Sequence, residues 1–286
     1  MVEGSYSWST QSHAGFDTTV VLVDTDEGLT GVGECCPLGP TYLPAYAHGV
    51  RAGIAQLAPH LIDKDPTQLD RINHLMDTQL KGHPYVKSAI DMACWDILGK
   101  ATGLPVYVLL GGKLQEKVTL YKVVSRADPN AMAERIPEYR DKGFHQFQVK
   151  VGEDPSTDII RIHRVAEEME AGEVLNADAN TGWKQHEALQ VAHGIADIGK
   201  QTGIRLTFEQ PCLSYHECLA VRQHTNLPFV LDECMDSINA LLQAQHDHAM
   251  DMINLKISRF GGITRARQVR DLCVSLGLPM NVEDSW

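Results

Sequence analysis

No stretch of the 286-residue chain approaches the roughly 18 uninterrupted apolar residues that a membrane-crossing helix needs. Its opening, MVEGSYSWSTQSHAG, has no basic segment leading into an apolar run, so no signal peptide is expected. No CxxC occurs, which excludes zinc knuckles and thioredoxin-type redox motifs. The cysteines number seven, an odd count, and are scattered: Cys35, Cys36, Cys94, Cys212, Cys218, Cys234 and Cys273. Adjacent Cys35 and Cys36 make a poor disulfide framework, so reduced thiols in a cytoplasmic protein are expected. Basic residues are too few for a nucleic-acid binder: 25 Lys and Arg face 37 Asp and Glu, and a net charge of −12 repels phosphate backbones. Low-complexity tracts are absent. His246, Asp247 and His248 look like a metal tract, but their Gln and Ala neighbours point to a solvated helix.

What is present is a globular composition, 43% apolar and 22% charged, enough for one large domain or two ordinary ones. Residues 17–34 read as a hairpin, two β-rich runs around Asp26-Glu27-Gly28. A Pro/Gly/Tyr-rich loop follows. Helices are expected from about His48, with Val50, Ile54, Leu57 and Leu61 in phase, then over 66–80 and 85–102, ended by Gly103 and Pro105. The first third is therefore an α+β unit.

Beyond it, short β-rich runs recur at 118–124, 146–151, 174–178, 205–209, 229–232, 252–257 and 279–283. Their starts lie 28, 28, 31, 24, 23 and 27 residues apart. Helical segments fill the gaps at 130–142, 157–169, 185–202, 214–224, 238–245 and 264–276. Repeated βα units argue for a parallel sheet, either doubly wound or a TIM barrel. A barrel brings the C-terminal ends of its strands to one face. Asp178, Glu209, Asp232 and Lys256 each end a strand, Lys150 nearly ends another, and Glu283-Asp284 ends the last. A lone acid at a strand end is usually a loop residue or a helix cap. Three converging carboxylates repel one another unless they pair with lysines or hold a cation, and all-oxygen ligands favour Mg²⁺ over Zn²⁺. Metal with lysine bases suits removal of a proton α to a carboxylate, the chemistry of enolase-type sites.

These motifs resemble the enolase superfamily, within its mandelate racemase/muconate lactonizing enzyme-like members, over nearly the whole chain. AIDMACWDILGKATGLPVYVLLGG (89–112) resembles the signature at the end of the family's capping domain, and FQVKVG (147–152) its K-x-K motif. DANTGW (178–183), EQP (209–211) and LDE (231–233) resemble the three metal-ligand motifs, and NLKISRFGG (254–262) the sixth-strand lysine motif. The resemblance implies Asp178, Glu209 and Asp232 as Mg²⁺ ligands, with Lys150 and Lys256 as facing bases. Glu233 competes with Asp232 for the third ligand place, since alternation turns only one of them inward. Gln148 stands where the family has the first lysine of K-x-K. The implied fold is α/β: an α+β capping domain over 1–112 that sets substrate specificity, then a TIM-type (β/α)7β catalytic barrel over 113–286. That barrel is expected to end before its eighth strand, and a first capping-domain strand is missed before Ser5, as in a fragment of a longer protein.

Two facing bases permit racemisation or epimerisation; a β-leaving group turns the same first step into dehydration, and an alkene into cycloisomerisation. The loop GPTYLPAYAHG (39–49) and the EDSW ending resemble enzymes acting on proline derivatives, such as hydroxyproline betaine epimerase and cis-3-hydroxyproline dehydratase. Tyr42, Tyr46 and Trp286 could surround an ammonium, with charge from Glu283 or Asp284. The expected function is Mg²⁺-dependent epimerisation of an amino-acid or proline-betaine derivative, with dehydration or cycloisomerisation as alternatives. Dipeptide epimerase and N-acylamino acid racemase chemistry belong to the same range. A Schiff-base aldolase or an inactive barrel stands outside it. Expected partners are a small-molecule carboxylate and further copies of the chain, without nucleic acid or membrane.

Overall fold

The computed structural model describes residues 5–9 and 11–284. It opens with a small antiparallel hairpin, β1 (Tyr6–Trp8) and β2 (Gln11–His13). A second hairpin follows, β3 (Thr19–Asp24) and β4 (Thr30–Cys35), in register from Thr19↔Cys35 to Asp24↔Thr30. Then come helices α1 (Ala47–Leu61), α2 (Leu69–Gln79), α3 (Pro84–Thr102) and the short α4 (Val106–Leu109). From there strands and helices alternate: β5 (Lys122–Val124), α5 (Pro129–Asp141), β6 (Gln146–Lys150), α6 (Pro155–Glu167) and β7 (Val174–Asp178). Next are α7 (Gln185–Ile195), α8 (Ile198–Thr202), β8 (Arg205–Glu209), α9 (Tyr215–Arg222), β9 (Phe229–Leu231) and α10 (Ile238–His246). The series ends with β10 (Met252–Lys256), α11 (Ile257–Phe260), α12 (Ile263–Leu276) and β11 (Met280–Glu283).

The later strands form one seven-stranded sheet in simple sequence order, β11-β10-β9-β8-β7-β6-β5. From β5 to β10 every registered pair is parallel. Consecutive parallel neighbours joined by helices are the pattern of a TIM-like barrel wall. The mean residue pattern explains the strands: Phe147, Val149, Leu175, Ala177, Leu206 and Phe208 are buried apolar residues at every second position. The alternate positions carry Gln148, Lys150, Asn176, Asp178, Thr207 and Glu209, and four of these six, Gln148, Lys150, Asp178 and Glu209, are buried too. Helices start where short polar residues cap them. Asp128, Asp154, Ser214 and Ser237 each accept a hydrogen bond from a first-turn backbone N–H.

The chain separates into two compact units. One takes Met1–Gly15 and Val118–Asn254, the other Phe16–Lys117 and Leu255–Trp286. In the second, α3 is the central element, with Pro84 at its first turn and Gly103 in the left-handed conformation at its end. Leu57, Ile72, Met76, Val86, Ile90 and Cys94 form its main core. β4 lies directly on α3: a Cβ at Gly33 would sit 1.9 Å from the Ala89 carbonyl oxygen. No side chain larger than hydrogen fits there.

Several boundaries differ from the sequence expectation. The single helix over 185–202 is two, α7 and α8, divided at Ala196-Asp197. The expected strand over 118–124 pairs only at Lys122–Val124, and the helix over 66–80 begins at Leu69. The β1–β2 hairpin was not expected, because three-residue strands are too short to show a period. Among the described residues, no helix is long and apolar enough to cross a membrane. All seven cysteines are free thiols.

Candidate active site

Within the first unit, β6, β7 and β8 end side by side. Lys150 is in register with Asp178, and Asp178 with Glu209. The three charged groups therefore lie at one level of the sheet, on its alternate face. Lys150 Nζ donates to Asp178 Oδ2 at 2.5 Å, a pair buried on both sides. Burial disfavours the charged form of Lys150. The Asp178 carboxylate overrides this, with Tyr6 and Glu209 adding to it, and holds Lys150 well above the ordinary lysine value. The other Asp178 oxygen accepts the backbone N–H of Asn180 at 2.8 Å.

Glu209 is fully buried and held by amides. Gln148 Nε2 donates to its Oε2 at 3.1 Å, Asn176 Nδ2 donates to the same oxygen, and Asn254 Nδ2 donates to Oε1 at 2.6 Å. Asp232, also fully buried, places a carboxylate oxygen within 4.8 Å of one from Glu209. Its backbone N–H donates to Gln210 Oε1 at 2.8 Å, which ties the end of β9 to the end of β8. Glu233 is turned elsewhere and accepts from Asn180 Nδ2 at 3.0 Å. Non-glycine residues with positive φ cluster after the acidic strand ends: Asn180 (42°), Thr181 (67°) and Gln210 (33°). Such backbone persists where surrounding structure enforces it, commonly at functional sites. Gly152 lies in the loop after Lys150 with φ 101°, its α-carbon close against the Ala179 carbonyl, where a Cβ would fall 2.2 Å from the oxygen.

In the second unit, Lys256 ends β10. Its Nζ donates to the Tyr42 hydroxyl at 3.1 Å, lies 5.6 Å from the centre of the Tyr42 ring, and is 3.7 Å from Glu283 Oε1. Arg259 Nη2 donates to the same hydroxyl at 3.2 Å. Asp284 accepts from both the backbone N–H and the hydroxyl of Ser258, at 3.0 and 2.9 Å. Tyr46 is half exposed and its ring lies over Gly49. Trp286 lies outside the described residues. At the end of α10, where His246, Asp247 and His248 read as solvated helix and not as a metal tract, Asp247 accepts from the Tyr215 hydroxyl at 2.7 Å.

The structure thus joins Lys150 to Asp178, Glu209 to Asp232, and Lys256 to Tyr42. Tyr6 also meets Lys150, though no motif marks it. It sits on the β1–β2 hairpin with its ring 5.9 Å from Lys150 Nζ, and Ser9 anchors that hairpin by donating to the Val151 and Gly152 carbonyls. Only its position in an aromatic-rich opening, Tyr6 and Trp8 two residues apart, could have signalled it.

Two family patterns match the chain. Residues 6–111 match the mandelate racemase/muconate lactonizing enzyme N-terminal domain, and residues 131–285 the enolase C-terminal domain-like family. The chain belongs to the mandelate racemase/muconate lactonizing enzyme family of the enolase superfamily. It is 51% identical over 285 residues to a cis-3-hydroxy-L-proline dehydratase of Roseibium aggregatum, covering 99% of this chain and 76% of that one. It is 30% identical over 274 residues to an N-succinyl-L-Arg/Lys racemase of Bacillus cereus, covering 95% and 73%. A crystal structure of a family member from Roseovarius nubinhibens superposes with a TM-score of 0.94 at 40% identity, over 100% of this chain and 75% of that one. A magnesium complex of a family member from the same organism gives 0.91 at 35% identity, over 98% and 76%. The chain is an enolase-superfamily enzyme, an isomerase or a lyase. The donor chemistry fits the family's metal: Asp178, Glu209 and Asp232 are fully buried carboxylates, oxygen ligands of the kind a hard divalent cation takes.

Proposed function

We propose that this enzyme removes the proton α to a carboxylate and, on a proline-type ring bearing a β-hydroxyl, completes the reaction as a dehydration. The observation that carries the first step is the buried Lys150–Asp178 pair, in register with Glu209. It supplies a lysine, shielded from water, beside carboxylates suited to a cation. The 51% identity to a cis-3-hydroxy-L-proline dehydratase puts dehydration ahead of the epimerisation that the sequence alone favoured. Epimerisation of an amino-acid derivative is the second reading, supported by the racemase relative.

Asp178, Glu209 and Asp232 would hold Mg²⁺. When bound, it supplies positive charge that offsets charge developing on the substrate carboxylate and weakens the hold of Lys150 on its proton. Lys150 and Lys256 are assigned as the bases for the two faces of the α-carbon, an assignment supported by their places in the family's two lysine motifs. In a cis-3-hydroxy acid the hydroxyl shares a face with the carboxylate, so the α-hydrogen lies on the other face. One lysine, neutral, takes that proton, and the electron pair of the C–H bond spreads onto the carboxylate. The pair then forms the C2–C3 double bond as the C3–O bond breaks. The opposite lysine, as ammonium, gives its proton to the departing hydroxyl, which leaves as water. Each lysine must be in the correct protonation state at the start, which makes activity bell-shaped in pH. Tyr42, Tyr46, Asp284 and Trp286 are assigned to the substrate ring and its nitrogen. Residues 1–112 are assigned to specificity and 113–286 to catalysis, a division supported by the interval between the two family matches.

Incubation with cis-3-hydroxy-L-proline and Mg²⁺ tests this reading. The expected result is loss of one water per substrate, abolished by chelation. Recovery of an epimer with its hydroxyl intact would instead establish the second reading, and absence of any change at the α-carbon across proline and amino-acid carboxylates would sink both.

A further inference from the structure

The ladder between β8 and β9 registers Phe208 with Phe229 and Glu209 with Val230. One step further, the Gln210 N–H donates to the Val230 carbonyl at 3.0 Å. A regular parallel ladder would continue with the Asp232 N–H donating back to the Gln210 backbone carbonyl. That carbonyl is turned the other way and accepts from the Thr181 N–H at 3.0 Å, in the loop after Asp178. The Gln210 backbone sits at φ 33°, a conformation a non-glycine residue keeps only where its surroundings enforce it. The side chain takes over the missing rung. Gln210 Oε1 accepts from the Asp232 N–H at 2.8 Å and from Cys234 Sγ at 3.4 Å, while Nε2 donates to the Cys212 carbonyl at 3.0 Å. Cys218 Sγ lies 3.5 Å from the same Nε2. The whole residue is buried.

We infer that Gln210 is a positioning residue which, through the Asp232 backbone, sets the Asp232 carboxylate beside that of Glu209 for a divalent cation. The inference rests on the reading above that Asp232 is a cation ligand. Its basis is the place of Asp232, one residue past the end of β9 at Leu231, where the regular ladder has stopped. The Gln210 amide oxygen holds the N–H there, and with it the point from which the Asp232 side chain departs. Through its backbone carbonyl the same residue holds Thr181. One residue thus ties together the ends of β7, β8 and β9, the strand ends at which Asp178, Glu209 and Asp232 lie. Mg²⁺ demands near-ideal octahedral geometry, so a displaced ligand is felt directly in affinity. Groups that orient a metal ligand typically contribute about 10–100-fold to metal affinity.

The test is calorimetric titration of the metal-free protein with Mg²⁺, together with metal-free melting temperatures, for the parent, Gln210→Met, Gln210→Asn and Cys218→Ala. Methionine matches the length of glutamine but offers the Asp232 N–H no amide oxygen. Asparagine keeps an amide and tolerates positive φ, but is one methylene too short to reach. Cys218→Ala loosens the packing around Nε2 and leaves the bond to Asp232 in place. The parent should bind Mg²⁺, and both Gln210 variants should lose about tenfold or more in affinity. Cys218→Ala should melt lower yet bind Mg²⁺ as the parent does. A loss below about tenfold in either folded Gln210 variant would overturn the inference. So would a loss in Cys218→Ala as large as in the Gln210 variants, since general loosening would then explain both. If Gln210→Met does not fold, Gln210→Asn decides. A parent that binds no Mg²⁺ would overturn the cation reading itself, a result distinct from a parent that binds while its Gln210 variants bind equally well.

Discussion

Glu209 is fully buried and accepts amide hydrogen bonds from three strands, through Gln148, Asn176 and Asn254. Glu209→Gln keeps the shape but removes the charge and turns an acceptor into a donor facing other donors. The variant should lose the rise in melting temperature that Mg²⁺ gives the parent. An unchanged rise, read by differential scanning fluorimetry, would remove Glu209 from the ligand set. At this scale the sequence was most informative where chemistry sits at strand ends, as with Lys150, Asp178, Glu209, Asp232 and Lys256. It was silent on Tyr6, because nothing local links an opening aromatic to a lysine well over a hundred residues away. It also raised the choice between Asp232 and Glu233, and the structure gives the two side chains different surroundings: Asp232 beside Glu209, Glu233 beside Asn180.

Among the elements, α12 shows how a helix start is held by a distant side chain. Gly262 precedes it, and the Asp91 carboxylate from α3 accepts from the Thr264 N–H at 3.0 Å and the Thr264 hydroxyl at 2.5 Å. Asn73 donates to Asp91 at 2.6 Å, and Trp95 Nε1 donates to the Thr264 hydroxyl at 2.9 Å. Asp91→Ala would take the acceptor from the Thr264 N–H, the Thr264 hydroxyl and the Asn73 amide, at a cost of about 3 kcal/mol. Chemical denaturation should show that loss; a change within about 0.5 kcal/mol would mean the network contributes nothing net. The bond between Asp91 and Thr264 was not legible in the sequence, though Asp91 stands in a motif that was and Thr264 opens an expected helix. Motifs mark positions, and pairings depend on how helices pack. The break between α7 and α8 was missed for a related reason: it falls between Gly194 and Gly199, and isolated glycines inside a helical period do not by themselves end a helix.

Glu173, the last residue before β7, offers a pH-dependent test at the same scale. Burial pushes its carboxyl up, but two hydrogen bonds from Arg140, the Glu170 N–H and His145 outweigh this and hold it below the usual range. A folded-state value below the unfolded one stabilises fully above the unfolded value of about 4.3 and is lost as pH falls through the folded value. Glu173→Gln should therefore melt below the parent at neutral pH, and the gap should close in acid. A gap constant from neutral pH to about pH 3 would contradict the role of the carboxylate charge.

For the whole molecule, the spacing of β-rich runs gave the parallel sheet and its strand order, because each βα unit is a local pattern repeated. The grouping of Leu255–Trp286 with Phe16–Lys117 in one compact unit was not visible, since packing between segments far apart in sequence leaves no periodic mark. The central claim is that Lys150 and Lys256 serve opposite faces of one α-carbon. It is tested most directly by α-proton exchange in deuterated water, followed by NMR, for Lys150→Ala and Lys256→Ala with each enantiomer of a proline-type carboxylate lacking the β-hydroxyl. Each variant should exchange only one enantiomer, and the enantiomers should be opposite. Exchange of both enantiomers by either variant would contradict the account, for one base or solvent would then be reaching both faces.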